Sequence, residues 1–210
     1  IVHPEDIRYH LEKALYMAVT GRPGPGWLDI PLDVQGAVIE TENLRAYDPT
    51  ENPEQKPQEI SQEIIEKILD KIEESHRPVL SPGNGVRLAG AIGEFHELVE
   101  LLGVPVVTGM SSVDALESDH PYFAGRSGGT GTRAGNFALQ NSDVLLSIGN
   151  RQGFTQTGFQ YQDWARESYT ILNDIDENEL KKPSLHVSLP VVGDAGELIR
   201  GLLTEAKKRG

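Results

Sequence analysis

Pro78-Val79-Leu80-Ser81 is followed by Gly83-Asn84-Gly85, then by Leu88, Ile92, Phe95, Val99 and Leu102, then by Pro105-Val106-Val107-Thr108. This succession decides the fold. The two apolar segments are short and rich in Val, which suits strands, whereas the segment between them repeats every three to four residues, which suits a helix. A strand that is apolar on both faces must be covered on both faces, and two such strands joined by a helix run parallel.

The same unit recurs on either side. Ile60, Ile64, Ile65, Ile68, Leu69 and Ile72 mark a helix before the first strand. After the second come a short strand at Tyr122-Phe123-Ala124 and a glycine-rich loop from Gly125 to Gly135 that enters a helix with Phe137. Further strands are read at Asp143–Ile148, at Tyr169–Asn173 and at His186-Val187-Ser188-Leu189. A final helix carries Leu198, Ile199, Leu202 and Leu203. The reading is therefore α/β: a Rossmann-like six-stranded parallel sheet with helices on both faces, in an order such as 3-2-1-4-5-6.

The front of the chain reads differently. His3-Pro4-Glu5-Asp6 opens a helix with Ile7, Leu11, Ala14, Leu15 and Ala18, and Gly21 to Gly26 stops it. Trp27-Leu28-Asp29-Ile30 reads as a short strand ended by Pro31. One helix and one strand cannot close a core. Residues 39–59 hold Pro49, Pro53 and Pro57 among acids and amides, an interdomain linker by composition. The expected organisation is 1–38, a linker at 39–59, and a sheet domain at 60–210.

Composition narrows the function. The chain has 210 residues, no Cys and a formal net charge of −13. No Cys excludes disulfide scaffolds, Cys-ligated zinc and Cys nucleophiles. The acidic balance argues against nucleic-acid partners. Eleven of the acids against four bases fall within residues 40–74, on the linker and one helix, a solvated face. No apolar run is long enough to span a membrane and no leader pattern is present, so a cytoplasmic location is expected.

In an open parallel sheet, ligands bind beyond the carboxyl ends of the strands. Four strands end here in Gly83-Asn84-Gly85, Thr108-Gly109, Gly149-Asn150-Arg151 and Asp174-Ile175-Asp176. Bare backbone approaches a phosphate closely, and Arg126, Arg133 and Arg151 add positive charge. Two readings stay open: a nucleotide pocket, or glycines that only make tight strand–helix turns. The G-x-G-x-x-G fingerprint fails at Leu88, and Gly128-Gly129-Thr130-Gly131 lacks the P-loop Lys. No catalytic set and no metal-ligand pair emerge. Asp174 and Asp176 suit a ribose contact or a helix cap, Trp27 and Trp164 suit packing, and His96 suits the surface of a helix.

Three stretches carry a family resemblance. Gly21-Arg22-Pro23-Gly24-Pro25-Gly26-Trp27-Leu28-Asp29-Ile30-Pro31-Leu32-Asp33-Val34-Gln35 resembles the close of the N-terminal, pyrimidine-binding domain of thiamine-diphosphate enzymes, the acetolactate synthases above all. Arg77 to Gly85 with Gly103 to Thr108 resembles their central domain. So does Gly131-Thr132-Arg133-Ala134-Gly135-Asn136-Phe137-Ala138-Leu139-Gln140-Asn141-Ser142-Asp143, continued through Gly149-Asn150-Arg151, Gln156-Thr157-Gly158 and Asp174-Ile175-Asp176.

The resemblance implies a parent enzyme that decarboxylates a 2-oxo acid and transfers or releases the aldehyde unit. It implies that thiamine diphosphate and Mg²⁺ are held by domains upstream of residue 1 and downstream of residue 210. This chain alone would then be inactive, with the parent's remaining domains as partners in a homo-dimer or tetramer. The central domain of such enzymes binds FAD, ADP or nothing. By motif, the contacts would fall at Gly83, Asn84, Gly85, Thr108, Gly109, Met110, Gly128, Gly129, Thr130, Gly131, Gly149, Asn150, Arg151, Asp174, Ile175, Asp194 and Ala195. The sequence departs from the acetolactate synthase pattern at Gly83-Asn84-Gly85, at Gly128-Gly129-Thr130 and at Gln152-Gly153-Phe154-Thr155. Rival readings are a free-standing dinucleotide-binding module, which leaves 1–38 unexplained, a sirtuin-like deacylase, which normally needs Cys-bound zinc, and an interaction module.

Overall fold

The computed structural model describes residues 1–53 and 57–210. Two compact units are present, Ile1–Lys56 and Pro57–Gly210. The part of the expected linker at 54–56 lies outside the described residues.

In the first unit, helix α1 spans Ile7–Val19 and a short helix α2 spans Leu32–Gln35. Single 3-10 turns follow at Thr41–Asn43 and Pro49–Glu51. Within this unit, Tyr47, from the segment read as a linker, packs on α1. Glu12 Oε2 accepts from the Tyr47 N–H at 2.8 Å, and the Tyr47 ring packs edge-on to Tyr9, with centroids 5.6 Å apart. The expected strand at Trp27–Ile30 is not formed. That segment has no strand partner, because no other strand exists among the described residues of this unit to complete its ladder. Trp27 is correspondingly 92% exposed, not packed.

The second unit holds α3 (Gln62–Glu73), β1 (Pro78–Pro82), α4 (Asn84–Leu88), α5 (Ile92–Leu102), β2 (Val106–Thr108) and β3 (Phe123–Arg126). Then come α6 (Arg133–Gln140), β4 (Val144–Ile148), α7 (Phe154–Thr157), β5 (Tyr169–Asp174), α8 (Glu177–Leu180), β6 (Leu189–Val192) and α9 (Ala195–Arg209). The six strands form one parallel sheet in the order β3-β2-β1-β4-β5-β6.

The alternation of side chains along each strand sorts the core into two layers. Leu80, Val106, Leu146, Ile148, Ile171 and Val191 face α3, α5 and α9, which bury Ile68, Leu69, Phe95, Leu98, Leu198 and Leu202. Val79, Val107 and Leu145 face the other way, onto Leu139 of α6 and the buried Trp164 and Ala165. Ser61 caps α3 from Ile64 N, and Asp194 caps α9 from Gly196 N and Glu197 N.

The last strand lies three residues later than the sequence indicates. It contains Pro190, which is tolerated because β6 is an edge strand, where a missing N–H costs no ladder bond. Residues before it run beside β5 through side-chain and backbone bonds: Thr170 Oγ1 donates to the His186 carbonyl, and Ser188 N donates to the Thr170 carbonyl.

Candidate functional site at the carboxyl edge of the sheet

The strand order reverses between β1 and β4, so the switch-point crevice lies where these two strands end. Ser81 and Ser147 are register partners one residue before the ends. Beyond them, Gly83-Asn84-Gly85 and Gly149-Asn150-Arg151 lie against each other. Gly83 N donates to Ile148 O at 2.8 Å, and Gly85 N donates to Gly149 O at 2.9 Å. A Cβ on Gly85 would come within 2.7 Å of Gly149 Cα, and one on Gly83 would overlap the Gly149 carbonyl and Asn150. These glycines permit loop-to-loop contact. Asn84 is exposed beside them.

Two amides fill the space under the loops. Asn150 Nδ2 donates to Ser81 Oγ at 3.3 Å, and Gln152 Nε2 donates to Ser147 Oγ at 3.0 Å and to Ser81 Oγ at 3.5 Å. Gln152 is 2% exposed and sits in the left-handed region, with φ +49°. Its backbone N–H donates to Asn150 Oδ1 at 3.3 Å.

The glycine-rich loop is likewise spent on itself. Gly128 N donates to Asn136 Oδ1, Gly129 N to Thr155 O, and Gly131 N to Gly128 O. Thr130 is exposed at the loop tip. Gly109 N donates to Ser112 Oγ at 3.0 Å, and the Gln156 amide lies over Gly109, so that a Cβ there would overlap it. Met110 is exposed, and Thr108 is buried.

Arg151 is engaged in an ion pair. Its Nη2 pairs with Glu179 Oε1 at 2.6 Å, and Lys182 Nζ takes the second Glu179 oxygen at 2.9 Å while also donating to the Arg151 carbonyl. Burial alone would raise the Glu179 carboxyl; the bonds from Lys182 and Arg151 outweigh it and hold it below the ordinary range. Asp174 is buried and accepts from Asp176 N at 3.0 Å, with half-buried Ile175 between them. Asp176 caps α8 through Asn178 N, and Asp194 caps α9, whose first residue is the buried Ala195. The cap reading of Asp176 therefore holds. His96 is half-buried, its Nε2 2.9 Å from the Ala115 carbonyl.

Among the described residues, no group of three or more His, Asp or Glu side chains could hold a metal ion, and no helix is long and apolar enough to cross a membrane.

The family described as "Thiamine pyrophosphate enzyme, central domain" matches residues 65–202, which is the span from α3 to α9. The chain belongs to this thiamine pyrophosphate enzyme family. Among curated relatives, a "Probable acetolactate synthase large subunit" of Methanocaldococcus jannaschii is 37% identical, covering 97% of this chain and 34% of the relative. The "Acetolactate synthase large subunit" of Corynebacterium glutamicum is 35% identical over 99% of this chain and 32% of its own length. The "Acetolactate synthase isozyme 2 large subunit" of Escherichia coli is 31% identical over 94% and 35%. The chain thus spans about a third of the length of the curated relatives it matches.

At this edge of the thiamine pyrophosphate enzyme central domain, the glycine N–H groups are already used within the chain. Phosphate recognition by glycine loops needs free N–H groups, and those of Gly83, Gly85, Gly109, Gly128, Gly129, Gly131 and Gly149 all donate within the chain. The polar atoms left buried without a partner include Thr108 Oγ1, Ser127 Oγ, Gln152 Oε1 and Gln156 Nε2, all on side chains.

Sequence alone marked Gln152 and Gln156 only as parts of motif stretches and did not connect them with Ser81, Ser147 or Gly109. The available signal was a Ser at the same place in two neighbouring Leu/Val strands.

Proposed function

We propose that this chain is the non-catalytic middle portion of a thiamine-diphosphate-dependent enzyme that decarboxylates a 2-oxo acid and transfers or releases the resulting aldehyde unit. The observation that carries this is the alignment of 94–99% of the chain with acetolactate synthase large subunits from three organisms. Thiamine diphosphate, when bound to the parent, supplies an electron sink for the carbanion left by decarboxylation. Under this reading other parts of the parent hold that group and Mg²⁺, and the parent works in the cytoplasm as a homodimer or homotetramer. This chain's own contribution is a rigid α/β layer that spaces and orients those parts, since a catalytic constellation has to be held within about half an ångström.

The test is a chimera in which residues 1–210 replace the aligned third of the Corynebacterium glutamicum relative. It is assayed for acetolactate formation from pyruvate with thiamine diphosphate and Mg²⁺. The chimera is expected to turn over substrate, and the chain alone is expected to stay at the level of a heat-killed control. A folded chimera without turnover, beside an active relative, overturns the reading.

A further inference from the structure

Residues Gln152–Gln156 leave β4 and cross the carboxyl ends of its neighbours. Gln152 reaches Ser147 at the end of β4 and Ser81 at the end of β1. Thr155 O receives the N–H of Gly129, from the loop after β3. Gln156 lies over Gly109, the residue after β2. One five-residue segment therefore touches the ends of β4, β1 and β2 and the loop after β3, the line along which a ligand would lie in an open α/β sheet.

We propose that this segment is a strap that occupies the domain's own ligand crevice and excludes adenine dinucleotides and diphosphates from it. Three further observations support a strap over an ordinary loop. Gln152 holds φ +49°, a conformation that costs a residue with a side chain, so its burial is imposed by what the side chain fills. Both glutamines keep one buried amide atom without a partner, Gln152 Oε1 and Gln156 Nε2. A side chain placed only for stability would satisfy both. Two glycines also bracket the short helix α7 within and after this segment: Gly153 before it, and Gly158, with φ +75°, after it. The proposal concerns this chain's own residues and is independent of what the parent enzyme does.

The experiment titrates the 210-residue chain with ADP by calorimetry and with FAD by flavin fluorescence. It is repeated on the double variant Gln152→Asn, Gln156→Ser. Asn keeps the left-handed conformation accessible but is too short to bridge Ser81 and Ser147. The wild type is expected to bind both ligands more weakly than about 1 mM, and the variant at least about tenfold more tightly than the wild type. Micromolar binding by the wild type overturns the proposal, and so does a folded variant with unchanged affinity. Should the variant not fold, exchange of the Gln152 side-chain amide protons in the wild type decides. Protection that persists at 1 mM ADP is expected, and its loss on adding ADP overturns the strap.

Discussion

The two units use apolar side chains in opposite ways. In Pro57–Gly210, Ile68, Leu80, Phe95, Leu98, Leu145, Ile171 and Leu198 are all shut off from solvent in two layers about one sheet. In Ile1–Lys56, α1 buries no residue, and Leu11, Leu15, Met17, Val19 and Trp27 are exposed. Met17 and Trp27 line an open groove of about 440 Å³ between α1 and the 22–28 segment. Both regions carry helical apolar spacing. The difference is a second layer: burial requires a partner face, and only the sheet supplies one. At roughly 25 cal/mol per Å² of apolar surface removed from water, a helix with nothing buried gains little from being amphipathic.

Separating the units gives the largest expected effect. Residues 57–210 alone should unfold in one cooperative thermal transition. Residues 1–56 alone should show none, because chains of this length are marginal even when they bury a core. Circular dichroism of the two pieces checks this, and a sharp transition in 1–56 would break the comparison.

Single side chains sharpen it. Leu98→Ala should cost about 2–5 kcal/mol, the range for emptying a packed site. Leu15→Ala, on exposed α1, should stay within about 0.5 kcal/mol. Urea unfolding of the full chain reads both, and similar losses would mean that exposure of α1 is not its working state.

How much was legible in the sequence follows the same division. Val79-Leu80, Val106-Val107 and Val144-Leu145-Leu146 are buried on both faces, so composition alone marks them as parallel strands, and the observed order is the common doubly-wound one. Trp27–Ile30 is also apolar, but strand formation depends on a partner that local sequence does not reveal. The last strand lies at Leu189–Val192 rather than His186–Leu189, because a proline is tolerated in an edge strand and local sequence does not reveal which strand is the edge. At the candidate site, the glycines were legible in the sequence, and their two possible uses stayed open. Gly83, Gly85 and Gly149 have the same letters whether they receive a phosphate or each other. Gln152 reads only as part of a loop that departs from the acetolactate synthase pattern, and the register of Ser81 with Ser147 gives it a destination.

Carboxylates allow a subtler test. Asp143 lies just before β4 and accepts from Ser75 Oγ, from His76 N at 2.9 Å and from Arg77 N at 2.9 Å, tying the start of β1 to that of β4. Burial alone would raise its pKa; these three bonds outweigh it and hold it at about 2 against the ordinary 3.8. A depressed carboxyl stabilises above its unfolded pKa, and the gain is lost as pH falls from about 4 through about 2. With solvent screening the gain is on the order of 1 kcal/mol. Asp143→Asn should therefore be less stable than wild type at pH 7, with the gap closing toward pH 2. Glu12, lowered by its bonds to Arg8 and the Tyr47 N–H, sits in the other unit. Glu12→Gln should leave the main unfolding transition unmoved at every pH. A gap for Asp143→Asn that is constant with pH would place its role in packing instead.

The smallest effect is expected at Arg151, and it separates residue burial from unit membership. Arg151 belongs to the unit with the core, and its ion pair with Glu179 is short. Its side chain is nevertheless 67% exposed, whereas that of Glu179 is 12% exposed and keeps Lys182 as a second partner. Exposed pairs contribute about 0–1 kcal/mol because solvent screens them and two long side chains must be held still. After Arg151→Ala the Glu179 carboxylate remains paired with Lys182, so no buried charge is stranded. The loss should be below about 0.5 kcal/mol. Glu179→Ala removes the buried partner of two cations and should cost more than Arg151→Ala. Equilibrium unfolding of the two variants at pH 7 gives the order. A larger loss for Arg151→Ala would mean that the guanidinium carries structural weight beyond this pair, and that exposure of a side chain does not measure its worth in this unit.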